Sequence, residues 1–384
     1  MDFSLTREQE LLRKMSAQFA QAELEPVAAE VDETHSFQSE NFAKMAELGF
    51  TGIGIPEEYG GVGGGALEKV IAVTEFAKKC LSSAATLSIH LVAPHAINHF
   101  GTEAQKQKYL PMVTKGGSLA AFALTEPGAG SDAAAVKTTA IYDAKSDEYV
   151  LNGTKCFITG GARADVLVVF AKTQPEKGVK GLSAFIVEKG FPGFSSGKIE
   201  CKMGLSGSKT AELIFEDCRV PKANLLGKEG QGFKIAMQAL DSARIGVGAQ
   251  AVGLAEGAID LSVGYMGERV QFGKPISALQ GLQWYIADMA TKTEAAKCLV
   301  YYAAYLEDAG KPFTKEAAMC KLNASENARF VTNLALQIHG GYGYMKDYPL
   351  ERMYRDAKIT EIYEGTSEVH KVVISRAVLG KIGG

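Results

Sequence analysis

Apolar residues recur at helical spacing through the first third of the chain. Thr6 with Gln9 three residues on makes a capping-box pattern, and Leu11, Leu12, Met15, Phe19 and Ala22 keep to one helical face until Pro26. Phe42, Met45, Ala46 and Leu48 form a second, shorter stripe that stops at Gly49, and the apolar, alanine-rich run 67–100 continues the helical character. The period then changes. Strand-like runs at 149–151 and 154–158 flank Asn152-Gly153, a dipeptide that predicts a hairpin turn, and 166–171, 182–187 and 211–215 are further short runs of branched and aromatic residues. From Gly232 the helical period returns in four long segments, 233–263, 279–306, 314–338 and 367–379, spaced by Gly273-Lys274-Pro275, Gly310-Lys311-Pro312 and the 340–349 region. The pattern predicts a mainly α chain with a central β domain: a helical domain over 1–120, a small β domain over 121–230 and a helical bundle over 231–384.

Four glycine- or histidine-bearing motifs bear on chemistry. The segment 60–65 has neither the Lys-Ser/Thr of a phosphate-binding loop nor a preceding strand, so it predicts a flexible loop. Gly246-Val247-Gly248-Ala249-Gln250-Ala251 fits the letters of a dinucleotide fingerprint but lies inside a helical segment, which predicts close helix packing instead. His90, His95 and His99 lack the glutamate of a zinc-binding helix, and no metal site is expected. Pro127-Gly128-Ala129-Gly130-Ser131 offers backbone N–H groups and a hydroxyl suited to a ring edge or a phosphate; a tight turn before a strand would look similar.

Composition narrows the partners. With 384 residues, 46% hydrophobic and 22% charged, the chain is long enough for two or three ordinary globular domains. A net charge of -3 argues against nucleic acid and anionic membrane surfaces. Six scattered cysteines without a CxxC pair suggest reduced thiols. No apolar run reaches the length of a membrane span, and residues 1–4 resemble no secretory or organellar leader, so a cytoplasmic protein without membrane insertion is expected.

The chemistry centres on Ile359-Thr360-Glu361-Ile362-Tyr363-Glu364-Gly365-Thr366-Ser367-Glu368. Gly365 permits a sharp turn, and the neighbouring Ile362 and Tyr363 make an apolar setting in which Glu364 can serve as a general base. An ordinary solvated glutamate is the other reading of that residue alone. Together with Gln337 to Tyr344, Tyr348 to Arg352, Arg355-Asp356-Ala357-Lys358 and Leu124-Thr125-Glu126-Pro127-Gly128-Ala129-Gly130-Ser131-Asp132, this stretch resembles the acyl-CoA dehydrogenase family over nearly the whole chain. The bacterial butyryl-CoA (short-chain) branch is the most similar.

The resemblance implies a β-barrel between two helical domains and an FAD-dependent enzyme that desaturates acyl-CoA between its α- and β-carbons. It implies electron exchange with an electron-transferring flavoprotein and a homo-oligomer, by family habit a tetramer. Glu364 would be the base; the helix positions that carry the base in some members are Ser242 and Ala243 here. Phe122, Leu124, Thr125, Gly130, Ser131, Phe157, Ile158 and Thr159 would line the flavin ring. Arg269, Phe272, Gln280, Gln337, Ile338, Gly340, Gly341, Thr366 and Glu368 would hold the adenosine diphosphate part, often across a subunit boundary. Ser131, Asp241, Arg244, Tyr363, Glu364 and Gly365 would contact acyl-CoA, the Glu364 N–H holding the thioester oxygen. Phe157 departs from the family's commoner Trp, losing an N–H beside the flavin. An acyl-CoA oxidase is the rival within this fold; a helical scaffold that binds CoA or flavin without turnover is the rival outside enzymology, and Glu364 argues against it.

Overall fold

The computed structural model describes residues 4–115 and 117–380. Thr6 Oγ1 accepts from the Gln9 N–H at 3.2 Å and Gln9 Oε1 from the Thr6 N–H at 3.0 Å, closing the box that starts the helix Arg7–Phe19. The second stripe forms Ser39–Glu47 and buries Phe42, Met45 and Ala46, while Leu48 at its end is exposed. The run 67–100 divides into Ala66–Lys79, Leu81–His90 and Val92–Phe100. The glycine segment 60–65 is a loop, as expected, with no strand before it among the described residues. A Cβ at Gly61 would lie 2.0 Å from the Ile55 carbonyl oxygen, so glycine serves close backbone packing there. The three histidines all face main chain: His90 Nε2 meets Val113 O at 3.0 Å, His95 Nε2 meets Ile53 O at 3.2 Å and His99 Nδ1 meets His95 O at 2.9 Å.

The middle of the chain forms one sheet of eight strands: β1 (Ala120–Ala123), β2 (Thr139–Asp143), β3 (Glu148–Thr159), β4 (Val166–Lys172), β5 (Leu182–Glu188), β6 (Phe194–Ile199), β7 (Thr210–Pro221) and β8 (Leu225–Leu226). Their order is β6-β7-β3-β2-β4-β5-β8, with β1 parallel to β4. Both faces of β4 are covered. Val168 and Phe170 pack with Ile97, Tyr109 and Leu110 from the helical domain, whereas Leu167 and Val169 pack with Leu151, Leu213 and Phe215. Burial on both sides explains why 166–171 reads as an unbroken apolar run.

Asn152-Gly153 is a correction. The dipeptide lies inside β3, and the β2–β3 turn falls before Glu148, at a left-handed Asp147 with φ 56°. Gly153 instead sits at a register shift against β7, where a Cβ would come 2.4 Å from Thr138 Oγ1. Close approach within a bulge selected the glycine, and not a two-residue turn.

The C-terminal part contains Gly232–Glu268, Gln280–Asp308, Thr314–His339 and Ser367–Leu379, together with Leu350–Ile359, a helix just after the 340–349 spacer that the pattern did not predict. Leu350, Met353 and Ala357 are buried on one face of that extra helix. Gly246 and Gly248 lie where helices touch: a Cβ would stand 2.4 Å from Ser88 Oγ at the first and 2.9 Å from Val300 Cγ2 at the second. One core runs through both helical regions, with Val73 and Phe76 of Ala66–Lys79 joining Val252 and Ala255 of Gly232–Glu268 and Val300, Ala303 and Ala324 of the bundle. Asp308 strengthens that junction. Its Oδ1 accepts from the Ala66 N–H at 2.6 Å and its Oδ2 from the Leu67 N–H at 3.1 Å, so a bundle residue caps an N-terminal helix. Among the described residues no helix is long and apolar enough to cross a membrane.

Candidate functional site

The turn between Leu350–Ile359 and Ser367–Leu379 presents Glu364. Thr366 starts the second helix as its N-cap, its hydroxyl accepting from the Val369 N–H at 3.4 Å. Glu364 itself is left-handed at φ 54° and Gly365 follows at φ 101°. A non-glycine residue in that region costs roughly 1–2 kcal/mol, so surrounding contacts must hold it. Tyr363 supplies one such contact by donating its hydroxyl to Oε1 of the fully buried Gln250. A Cβ added to Gly365 would stand 3.0 Å from His370 Cε1, which leaves little room for any other residue there.

The carboxyl group of Glu364 accepts no hydrogen bond and forms no ion pair among the described residues, and its N–H likewise has no acceptor. Burial raises its pKa, while the positive charges of Arg244 and Lys321 pull the other way. Arg244 is buried and pairs with Asp241 Oδ1 through Nη1 at 2.5 Å. Asp241 Oδ2 also accepts from the Thr314 hydroxyl at 2.6 Å, and burial raises the Asp241 pKa against these contacts. At the alternative base positions, Ser242 Oγ accepts from Lys69 Nζ at 2.7 Å and Ala243 is buried. Glu364 is therefore the carboxyl on this turn with an unengaged acceptor and an unengaged donor side by side.

Lys321 was not singled out by its sequence. It lies on the same helical stripe as Ala317, Ala324 and Ala328 and has no exposed surface, and its Nζ donates to the Gly365 carbonyl at 2.6 Å. Burial lowers its pKa to about 7, opposed by Glu364. A charged residue on an alanine face was the signal available. Gln250 carried a similar one, as the polar member of the apolar run Val247 to Val252.

A second cluster lies around the turn that follows β1. Leu124 is buried, Phe122 and Thr125 are partly buried, and Gly130 and Ser131 are exposed. Glu126 anchors the turn: it accepts from the N–H groups of Lys137 at 2.6 Å and Thr138 at 3.0 Å and from Lys155 Nζ at 2.8 Å. Lys155 also donates to the Leu124 carbonyl at 2.9 Å. The N–H groups of Gly130 and Ser131 have no acceptor among the described residues, and a Cβ at Gly128 or Gly130 would meet open space. Beside it, Phe157 is left-handed at φ 57° in the β3–β7 register shift and 65% exposed, between buried Cys156 and Ile158; Thr159 ends the strand.

Of the remaining predicted residues, Arg269 and the Gln337 to Gly341 stretch meet at one end of the bundle, while Thr366 and Glu368 stay with the Glu364 turn and Lys321. The Arg269 guanidinium lies 5.4 Å from the Tyr342 ring centre, and Tyr265 stacks on His339 at 4.1 Å, which brings the end of Gly232–Glu268 to Gly340 and Gly341. Gln280 and Gln337 are exposed, Ile338 is buried, Phe272 is 89% exposed, and Glu368 is exposed on the first turn of Ser367–Leu379 beside partly buried Thr366. Among the described residues, no hydrogen bond, ion pair or ring contact joins this group to Gly130, Ser131 or Phe157.

Comparison with known proteins places this arrangement. Residues 6–117, 121–218 and 230–379 match the N-terminal, middle and C-terminal domains described for acyl-CoA dehydrogenase. An acryloyl-CoA reductase (NADH) of Anaerotignum propionicum is 77% identical, over 99% of this chain and 96% of its own. A chain solved in work on the electron transferring flavoprotein of Acidaminococcus fermentans is 54% identical with TM-score 0.98, over 99% of this chain and 100% of that one. The butyryl-CoA dehydrogenase of Megasphaera elsdenii is 48% identical with TM-score 0.97, over 99% of this chain and 100% of that one. From its helical, β and helical parts to the turn that presents Glu364, the chain belongs to the acyl-CoA dehydrogenase family of oxidoreductases acting on the CH–CH bond of acyl-CoA.

Proposed function

We propose that this chain interconverts short-chain acyl-CoA and 2-enoyl-CoA thioesters, with three- and four-carbon substrates preferred and Glu364 as the acid–base residue. The observation that carries the reading is the unengaged Glu364 carboxyl beside its own unengaged N–H. Glu364 takes the α-proton in the direction of desaturation and returns it in the direction of reduction. Its N–H holds the thioester oxygen, where negative charge builds as the proton leaves. FAD, the cofactor of the family, supplies the acceptor or donor for the β-hydride when bound. The free amides of Gly130 and Ser131, the open space over Gly128 and the exposed Phe157 ring fit a flavin ring there, with Phe122, Leu124, Thr125, Ile158 and Thr159 behind it.

The bundle end fits the adenosine diphosphate part through Arg269, whose fork matches pyrophosphate, with Phe272, Gln280, Gln337, Ile338, Gly340 and Gly341 around it, and Thr366 and Glu368 would reach that part from the Glu364 turn. Its separation from the ring-binding group supports a site shared between subunits. Phe272 at 89% exposed, Tyr344 at 81% and Trp284 at 61% are large apolar groups that a homo-oligomer, a tetramer by family habit, would cover.

The relative named for acryloyl-CoA and NADH supports reduction as the working direction, and the butyryl-CoA enzyme supports four carbons as a substrate. The parallel strands β1 and β4 are connected through β2 and β3 and not through a crossover helix, so the nicotinamide fold is missing among the described residues. NADH electrons would then arrive through a separate electron-transferring flavoprotein, as the Acidaminococcus relative suggests. Gln250, fully buried against Tyr363 one residue from the base, supports a short acyl pocket. Rates with a dye acceptor across three to twelve carbons should peak at three or four and fall by eight. Gln250→Ala should raise the six-carbon rate relative to the four-carbon rate, since each newly buried methylene is worth about 0.8 kcal/mol. A rising trend from four to twelve carbons in the parent enzyme would reject the short-chain reading.

A further inference from the structure

We propose that Lys321 is the positioning residue of the catalytic turn: its ammonium, shut behind the turn, fixes the Gly365 peptide and holds the Glu364 carboxylate ready for the α-proton. The inference rests on Glu364 being the base. Lys321 has no exposed surface, lies on a face of small residues and directs its Nζ to the Gly365 carbonyl at 2.6 Å. No carboxylate lies within ion-pair distance of it among the described residues. Keeping an ammonium inside a fold without a salt-bridge partner is unfavourable, and a leucine or methionine would fill that face more cheaply.

The charges around the pair single out Lys321. Arg244 faces Glu364 from Gly232–Glu268, but its Nη1 is engaged by Asp241 at 2.5 Å. Glu361 faces Lys321 from the turn and is engaged by Arg329 at 2.8 Å and Lys358 at 2.6 Å. Glu368 faces it from the exposed first turn of Ser367–Leu379. His370, on the same helix, is buried and held neutral, its pKa driven down to about 3 by burial and by Lys321 and Arg244. Tyr363 is engaged by Gln250. Lys321 is thus the buried cation near Glu364 without a carboxylate of its own, and its field falls on the base. The bond to Gly365 O sets the peptide that follows the left-handed Glu364, so one side chain governs both the geometry and the ionisation of the base.

The test is the pH dependence of flavin reduction by butyryl-CoA, measured on the FAD-loaded enzyme in single turnovers. A nearby opposite charge lowers a carboxyl pKa by about one unit or more. Lys321→Met should therefore move the acid limb at least about one pH unit upward, a roughly tenfold slower reduction below the limb. Lys321→Gln keeps a donor for Gly365 without the charge; it should recover the plateau rate and still show the displaced limb. If Lys321→Met does not hold its fold, the limb of Lys321→Gln decides alone. An acid limb in the parent position in the variants, even with lower thermal stability, would make Lys321 merely structural and overturn the proposal. Glu364→Gln run alongside separates the two readings. Reduction at the parent rate would remove Glu364 as the base, whereas slow reduction with an unmoved Lys321 limb would sink only the role of Lys321.

Discussion

Two lysines without exposed surface stand behind the two halves of this site, and they are housed differently. Lys155, under the Glu126–Ser131 turn, reaches a full carboxylate in Glu126 at 2.8 Å and the Leu124 carbonyl at 2.9 Å. Lys321, behind the Glu364 turn, has only the Gly365 carbonyl among the described residues. Burial lowers both, to about 8 for Lys155 and about 7 for Lys321. The first charge is neutralised where it sits, so its field ends at Glu126 and it works as a girder. The second is left uncompensated at contact range, so its field extends to the base. A buried cation is a structural part or a functional one according to where its counter-charge lies.

The comparison can be broken most readily at the girder. Lys155→Met strands the buried Glu126 carboxylate, and removing one partner of such a pair costs about 3–5 kcal/mol. Thermal unfolding and bound-flavin content should both fall, and adding Glu126→Gln should restore part of each. A Lys155→Met enzyme as stable as the parent would erase the distinction. Next in size is the base itself. Glu364→Gln should keep its yellow colour and acyl-CoA binding while turnover drops by at least about 10²-fold, a general base's contribution. Turnover near the parent level would leave the uncompensated lysine with nothing to act on.

The smallest effect is a separation in pH. Burial pushes the Glu126 pKa up, but the charge of Lys155 and its hydrogen bonds outweigh this and hold it below the ordinary glutamate value. Its contribution to stability is complete above the unfolded-state pKa and is lost only as pH falls through that lowered value. Glu364 is raised instead, so it takes up its proton at higher pH, and the fold loses no stability from that step. Mild acidification should therefore slow desaturation reversibly while flavin stays bound. Flavin release in step with the loss of rate, followed by absorbance, would show that the two carboxylates do not titrate apart.

Much of this was legible in the sequence, and the exceptions have physical causes. The capping box at Thr6 and Gln9 and the strand run at 166–171 announce themselves through local rules that the fold obeys. Glu364 became readable because Gly365 follows it and because the surrounding motifs resemble a known family. Lys321 stayed hidden because a lysine among alanines reads as the solvent face of a helix, and only tertiary packing turns it inward. Asn152-Gly153 misled for a related reason. The dipeptide permits a tight turn, but the neighbouring Thr138 backbone needed the missing Cβ for another purpose.

The Asp308 cap bears on how such a chain can be divided. The sequence matches separate residues 6–117 from 230–379, yet the first turn of Ala66–Lys79 borrows its hydrogen-bond acceptor from the end of Gln280–Asp308. Val73 and Phe76 likewise have part of their packing surface supplied from across that division. An isolated N-terminal fragment would carry bare amides and an open apolar face. The helical regions on either side of the β domain share one core and one helix cap, so they should unfold together as one cooperative body.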